Sequence, residues 1–222
     1  MRARLLLPAF ALLAACQQPA AAEPFLLAPP PAVEAHETPS RQTAIFAGGC
    51  FWGVEAIFSH LRGVKSAVSG FHGGSAATAH YERVSEGGTG HAEAVRVIYD
   101  PREIRYDQLL QVFFSVGADP TLVNRQGPDA GTQYRSALVP LNEEQRRVAA
   151  AYLRQLGTSA LWHAPIATRI ESYKAFYPAE EYHQDFAAAN PDHGYIRRWD
   201  APKVAALKRL FPALYKAAFT RG

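Results

Sequence analysis

The sequence predicts an α+β fold: a ferredoxin-like βαββαβ sandwich core, followed by an extra strand and helices at the C-terminal end. Short apolar runs bounded by glycine are typical of strands, and runs that repeat every three or four residues are typical of helices. The first six such elements follow the order of the split βαβ plan. Of the 222 residues, 48% are hydrophobic and 19% are charged, which suits a folded domain.

The first half of the domain alternates strands and helices. A strand over 42–47 ends at Gly48-Gly49. Val54, Ile57, Phe58 and Leu61 then occupy the i, i+3, i+4 and i+7 positions of an amphipathic helix, which Gly63 would end. The elements predicted next are a strand over 64–71, a loop over 73–90, a strand over 92–99 and a helix over 106–116.

The second half of the domain contains a long loop over 117–134, and long loops in compact domains are usually functional. Asn142 is predicted to cap the helix that follows. The elements predicted here are a strand over 136–140, a helix over 142–156, a strand over 166–170, a helix over 179–189 and a last helix over 202–218, interrupted by Pro212.

Residues 1–15 have the pattern of a secretory signal peptide, with two arginines before a short apolar stretch. The ending Leu13-Ala14-Ala15-Cys16 resembles the lipobox of bacterial lipoproteins, in which the cysteine is lipidated after cleavage. An ordinary signal with a chance cysteine is the alternative. Residues 16–40 are rich in Pro and Ala, so we expect a lipidated Cys16 and a disordered tether. The catalytic domain is placed at 41–200 and a C-terminal helical tail at 201–222.

Charge and cysteine content exclude several classes of protein. A net charge of +3 without a basic run argues against nucleic acid as a partner. The apolar runs are too short for a polytopic membrane protein. No His or Cys pair has metal-ligand spacing, so no metal site is predicted. If Cys16 is lipidated, Cys50 is the one remaining thiol and no internal disulfide is expected.

Cys50 is the first candidate for chemistry, because it follows two glycines and opens a helix. Free N–H groups and the macrodipole at a helix start stabilise an anion, so we expect a lowered thiol pKa. Phe51 and Trp52 would form an apolar wall beside it. The alternative is a small buried side chain ahead of a core helix.

Glu93 is the second candidate. It shares one face of its strand with Val95, Val97 and Tyr99, so that face is expected to be buried. A carboxyl on an apolar face should have a raised pKa and be able to donate a proton. Alternatively, the strand end opens to solvent. Asp129, Tyr134 and Tyr81 lie in the two long loops, where half-buried packing is the alternative role for each tyrosine.

Five ordered motifs resemble the A-type peptide methionine sulfoxide reductases. They are Gly49-Cys50-Phe51-Trp52-Gly53-Val54-Glu55, Gly88-Thr89-Gly90-His91-Ala92-Glu93-Ala94-Val95, Asp107-Gln108-Leu109-Leu110-Gln111-Val112-Phe113-Phe114, Gly131-Thr132-Gln133-Tyr134-Arg135-Ser136 and Ala179-Glu180-Glu181-Tyr182-His183-Gln184. The resemblance covers roughly residues 42–195 and implies reduction of the S epimer of methionine sulfoxide, free or in peptides.

The resemblance also implies roles. Cys50 matches the nucleophile, Phe51 and Trp52 the aromatic pair around the substrate methyl group, and Glu93 the acid that protonates the sulfoxide oxygen. Tyr81 and Tyr134 match the phenols that bind this oxygen, and Asp129 matches a carboxylate of the same pocket.

The chain departs from the family at two places. Ile196 follows Gly194-Tyr195, where many members carry a resolving cysteine, and no cysteine follows Cys50. The resemblance therefore implies a one-cysteine variant with no bound cofactor, whose sulfenic acid is reduced by an external thiol, thioredoxin-like or of glutathione type. Ala130 stands where many relatives have His.

We expect a monomer in the bacterial envelope, held to the membrane by a lipid anchor only, with the outer membrane favoured because Gln17 follows Cys16. Its substrates would be oxidised proteins or free methionine sulfoxide. Two other functions remain open: a one-cysteine peroxidase, and a non-catalytic lipoprotein that binds oxidised methionine segments.

Overall fold

The computed structural model describes residues 25–222. The expected signal peptide and Cys16 therefore lie outside the described residues. The strands are β1 (Gln42–Gly48), β2 (Val64–His72), β3 (Ala92–Tyr99), β4 (Arg125–Gln126), β5 (Asp129–Ala130), β6 (Ser136–Val139), β7 (Arg169–Ile170) and β8 (Phe176–Pro178). The α-helices are α1 (Phe51–Ser59), α2 (Tyr81–Ser85), α3 (Tyr106–Val112), α4 (Glu143–Thr158), α5 (Phe186–Ala189) and α6 (Ala201–Leu210).

Six strands form a mixed sheet in the order β7-β6-β1-β3-β2-β8. Every neighbouring pair is antiparallel except β6 and β7. Because β3 is antiparallel to both β1 and β2, those two strands are parallel, and α1 connects them. The connection places the first turn of α1 beside the N-terminal end of β3, where Glu93 pairs in register with Phe71.

Alternation along β1 divides the apolar side chains between the two faces of the sheet. Phe46 points into the main core, which it shares with residues of α1, α3 and α4 such as Phe58, Leu110 and Tyr152. Ile45 joins a smaller cluster on the opposite face, which Phe176 of β8 partly covers. Asn142 caps α4 as predicted, since its side chain accepts the N–H of Gln145 at 2.8 Å.

The helix predicted over 106–116 is α-helical only to Val112 and continues as a π-helical turn over Phe113–Gly117. The predicted helix over 179–189 is wrong. Asp185 adopts a left-handed conformation with φ of 53°, which separates a 3₁₀ turn over Glu181–His183 from α5.

Three other predicted elements also differ in the structure. The 73–90 loop contains α2 and a 3₁₀ turn, and the 117–134 loop contains the β4–β5 hairpin. Strand β8 was not predicted. The last helix ends at Leu210, before the non-helical Phe211 and the proline that follows it, rather than at residue 218.

The prediction of a disordered tether does not hold for residues 25–40. The N–H of Ala28 donates to Ser115 Oγ at 2.9 Å, and the hydroxyl of Tyr152 donates to the carbonyl of Pro29 at 2.7 Å. Ala35 donates to the buried Asp107 at 3.0 Å. Proline-rich composition predicts an extended backbone but not where its carbonyls and N–H groups find partners. Within the described part of the chain, no helix is long and apolar enough to cross a membrane.

Candidate active site

Cys50 is the residue that precedes the first turn of α1, at the point where β1 ends. The turn requires Gly49, whose φ of +83° is left-handed and whose Cα faces the side chain of Gln126 so closely that a Cβ would collide. The thiol is buried, with 8% of the residue exposed. The glycine pair thus places the sulfur at the helix start, inside the protein.

The prediction of a lowered Cys50 pKa is wrong for this structure. Burial raises the pKa of the thiol well above its usual value, and the nearby carboxyls of Glu93 and Asp200 raise it further. Lys203 and the backbone N–H of Trp52 oppose this rise. The helix start supplies the predicted N–H, but desolvation outweighs its effect on the thiol pKa, so the thiol of Cys50 is neutral at pH 7.

Glu93 is buried, with 2% exposed, which excludes a strand end that opens to solvent. Its Oε2 accepts the N–H of Phe51 at 2.9 Å. Burial raises the pKa of Glu93 to about 8, against the lowering effect of that hydrogen bond, and Asp129 and Asp200 add to the rise. The group is therefore a neutral carboxylic acid at pH 7, as the sequence predicts.

Phe51 and Trp52 form an aromatic wall next to the thiol. Phe51 is fully buried, and Trp52 is partly buried and stacks on Phe186 with ring centroids 3.9 Å apart. The indole Nε1–H donates to Nδ1 of His183 at 3.2 Å. Tyr195 meets the indole edge-on at 5.9 Å. The wall therefore depends on residues far along the chain.

Tyr81 begins α2 and Tyr134 ends a 3₁₀ turn in the other long loop. Burial, together with the proximity of Glu93 and Cys50, raises the pKa of Tyr81 to about 12. Burial also raises the pKa of Tyr134, with the same two groups among the causes. Both phenols lie near the thiol and the acid and keep their protons, so they remain hydrogen-bond donors.

Asp129 opens β5, and its Oδ2 accepts the hydroxyl of Tyr195. Burial raises the pKa of Asp129, while the hydrogen bond from Tyr195 lowers it. Ala130 follows in the same strand and is exposed. The structure thus brings together all seven site residues that the sequence singles out within the described range, apart from the expected lipidation site.

Asp200, which the sequence analysis did not single out, has a fully buried side chain. Its partner is Lys203, with Nζ 3.4 Å from Oδ1. The carboxyl lies against Gly53 of α1, where any Cβ would collide with it. Burial raises the pKa of Asp200. The buried carboxyl of Asp200, directly before α6, therefore contacts the helix that follows the nucleophile.

Comparison with known proteins agrees with this geometry. The family model described as peptide methionine sulfoxide reductase matches residues 42–213. The chain belongs to the peptide methionine sulfoxide reductase family. Curated relatives of A type include one from Mesorhizobium japonicum, 56% identical over 80% of this chain and 91% of the relative. Another, from Synechocystis, is 50% identical over 85% of this chain and 90% of the relative.

Solved structures give the same result for the fold. The reduced form of Mxr1 from Saccharomyces cerevisiae is 32% identical, with a TM-score of 0.59 over 72% of this chain and 92% of that one. Methionine sulfoxide reductase A of Corynebacterium diphtheriae is 33% identical, with a TM-score of 0.58 over 78% and 88%. The chain is thus a peptide methionine sulfoxide reductase of A type, with the α+β fold of that family.

Sequence reasoning assigned no role to four residues of the site: His183, Phe186, Tyr195 and Asp200. His183 lies in a motif already quoted for the family, which was a usable signal. Tyr195 was noted only as the neighbour of the missing resolving cysteine. Nothing in the local pattern around Phe186 or Asp200 marks either residue.

Proposed function

We propose that the protein reduces the S epimer of peptide-bound and free methionine sulfoxide through Cys50, with Glu93 as the acid. One observation carries the proposal: a buried, neutral carboxyl is held by the first turn of the helix that directly follows the buried thiol. A sulfoxide oxygen leaves only when protonated, and a neutral buried acid is suited to that transfer.

The aromatic wall and the phenols supply orientation. Phe51 and Trp52 give an apolar surface for the substrate methyl group, and Tyr81 and Tyr134 offer O–H donors toward its oxygen. A substrate held at both ends presents its sulfur to Cys50 in one orientation. The other epimer would place the methyl group where the donors are, which disfavours it.

The first half-reaction balances within this set of groups. The sulfur of Cys50 bonds to the substrate sulfur and the S–O bond breaks. The released oxygen then bonds to the Cys50 sulfur as the sulfur–sulfur bond breaks, which releases methionine and leaves Cys50 as sulfenic acid. Cysteine sulfur loses two electrons and the sulfoxide sulfur gains them. Glu93 gives its proton to the oxygen. The Cys50 thiol keeps its own proton in the resting state because its pKa is raised, and during the reaction this proton passes to Glu93.

The second half-reaction requires an external thiol. The whole sequence has two cysteines, and Cys16 is the expected lipidation site. We propose that a thioredoxin-like or small-molecule thiol attacks the Cys50 sulfenic acid directly, with no resolving cysteine. We further propose a lipid anchor at Cys16 and repair of oxidised envelope proteins. We also propose that the strand order β6-β1-β3-β2 forms a ferredoxin-like core.

Replacing the nucleophile tests the proposal. Cys50→Ser should abolish release of methionine from methionine-S-sulfoxide, because a hydroxyl cannot take up the oxygen. Hydrogen peroxide serves as the competing substrate, since a one-cysteine peroxidase would turn it over faster than the sulfoxide. Substantial sulfoxide reduction by the serine variant would refute the mechanism. Loss of the protein should also raise methionine sulfoxide in envelope proteins.

A further inference from the structure

Cys50 borders a cavity of about 160 Å³ whose lining excludes Phe51, Trp52, Tyr81, Glu93 and Tyr134. Its walls come from the N-terminal segment, the 114–129 region and the C-terminal segment over 195–203. Asp129 and Tyr195 also line this cavity, and Tyr195 meets Trp52, so the cavity adjoins the aromatic wall at Cys50. The missing resolving cysteine leaves the cavity without an assigned role.

We propose that this cavity binds the external reductant, and that the reductant is a small thiol that carries a carboxylate. The inference rests on the proposed function, because it requires a Cys50 sulfenic acid. It names the chemical class of the second substrate and the place where it binds.

Arg198 is the group that selects a carboxylate. Its guanidinium lies over the ring of Trp199, 5.0 Å from the centroid, and it forms no salt bridge with any residue in the described range 25–222. The cavity's other cation, Lys203, is paired with Asp200 at 3.4 Å. A guanidinium binds a carboxylate through two parallel hydrogen bonds.

The acidic groups of the lining are already engaged. Asp129 accepts the hydroxyl of Tyr195, and Asp119 accepts both the N–H and the hydroxyl of Thr121, at 2.7 and 2.6 Å. These hydrogen bonds orient the two carboxylates without removing their charge, and Arg198 is the lining cation that has no salt bridge within residues 25–222. The rest of the wall is largely apolar and aromatic and suits the carbon skeleton of a small thiol; it includes Phe25, Trp162 and Trp199.

The chemistry at the cavity balances with two thiol molecules. The sulfur of the first, as thiolate, attacks the Cys50 sulfur, the S–O bond breaks, and the hydroxyl leaves as water after taking one proton. A mixed disulfide remains. The second thiol attacks the reductant's sulfur of that disulfide, which frees the Cys50 thiol and releases the oxidised dimer. Each thiol supplies one of the two electrons.

The lining of this cavity contains neither Phe51 nor Trp52, so the thiol reaches Cys50 past residues other than the pair proposed to hold the substrate methyl group. A protein reductant would have to place its cysteine in the same cavity, and it would not depend on a carboxylate near the thiol.

The test uses the full-length protein, loaded with methionine-S-sulfoxide and freed of excess substrate, so that the sulfenic acid is present and its amount is known. Its reduction is followed by rapid mixing with 3-mercaptopropionate, 2-mercaptoethanol or cysteamine, which are anionic, neutral and cationic. Arg198→Gln is compared with Arg197→Gln, because Arg197 is exposed and does not line the cavity. Rates are expressed relative to the wild type for each thiol, which cancels intrinsic thiol reactivity.

We expect Arg198→Gln to slow reduction by 3-mercaptopropionate about fivefold, the upper range for one exposed ion pair, and to leave 2-mercaptoethanol within twofold. Arg197→Gln should change neither. Equal effects on all three thiols, or none, would overturn the proposal. So would an Arg198→Gln effect confined to the KM of a sulfoxide peptide, since the cavity would then hold substrate flanks. If wild type forms no sulfenic acid during loading, the proposed function itself fails, before any thiol is added.

Discussion

The backbone N–H of Phe51 donates to Oε2 of Glu93 at 2.9 Å, and this hydrogen bond joins the start of α1 to the N-terminal end of β3. The first N–H groups of a helix have no partner within it, so the acid satisfies one of them. Cys50 precedes Phe51 directly. The nucleophile and the acid are thereby fixed relative to each other by one hydrogen bond and one peptide unit, although 42 residues separate Phe51 from Glu93.

Glu93→Gln should slow the first half-reaction by about 10² to 10⁴, the range for loss of one general acid. Glutamine keeps an oxygen for the Phe51 N–H but has no acidic proton to give. The measurement is methionine formed in a single turnover. Glu55→Gln is the matched control, because Glu55 is a second buried carboxyl whose pKa burial raises to about 8. A Glu93→Gln rate within twofold of the wild type would remove Glu93 as the acid.

The single-turnover rate at low substrate should fall as pH rises through about 8. Burial raises the pKa of Glu93 to about 8, so its proton is present below that pH and is lost above it. Each further pH unit should reduce the neutral fraction about tenfold. This decrease in rate with rising pH should be absent in Glu93→Gln. If the rate of that variant falls with pH in the same way, a group other than Glu93 causes the decrease.

Glu55→Gln should flatten the pH dependence of stability. Burial raises the pKa of Glu55 from 4.5 to about 8, with Asp185 adding to the rise. A carboxyl whose folded pKa is raised contributes stability below its unfolded pKa and loses that contribution as pH rises through the folded value. Wild type should therefore lose more thermal stability between pH 5 and 9 than the variant. Identical Tm changes in both proteins would contradict this assignment.

Phe186→Ala should raise the KM for methionine sulfoxide about fivefold, which corresponds to roughly 1 kcal/mol for one aromatic pair. Phe186 stacks on Trp52 at 3.9 Å and so supports one ring of the aromatic wall that we propose binds the substrate methyl group. Steady-state kinetics measures the effect. Tyr173→Ala, an exposed aromatic that stacks on His72, is the control and should leave KM unchanged. An equal change in both variants would show a general effect of aromatic truncation.

Removing residues 25–37 should lower Tm by about 5 °C or more, since each lost hydrogen bond contributes about 1 kcal/mol. Glu37 accepts the hydroxyl of Tyr99 at 2.5 Å and the N–H of Tyr106 at 2.9 Å, in addition to the bonds of Ala28, Pro29 and Ala35. Thermal unfolding of proteins that begin at residue 25 and at residue 38 measures this. Equal Tm values would mean that the segment packs without stabilising the domain.

Much of the fold follows from local pattern. The short apolar run of β1, the alternation in β3 and the i, i+3, i+4, i+7 spacing in α1 predict elements whose bounds the structure nearly reproduces. The helix predicted over 179–189 fails because Asp185 is left-handed, and a non-glycine residue in that conformation gives no composition signal. The two-residue β7 is shorter than predicted, since edge pairing depends on β6 rather than on its own sequence.

The sequence identified the residues that the structure brings together in the site, but it predicted the direction of the pKa shift correctly only for some of them. The raised pKa of Glu93 follows from one apolar strand face, which is local information. The pKa of Cys50 depends on burial and on Asp200, 150 positions along the chain, so the helix-start argument alone gave the wrong sign. Long-range contacts of this kind also fix Trp52 through His183 and Phe186.

A single turnover without reductant tests the central claim most directly. The full-length protein is mixed with excess methionine-S-sulfoxide, methionine is quantified, and the mass of the protein is measured. The account predicts one methionine per enzyme, one oxygen atom gained on Cys50 and no disulfide, with the R epimer inert. No methionine and an unmodified Cys50 would contradict it and would favour a protein that keeps the fold for binding.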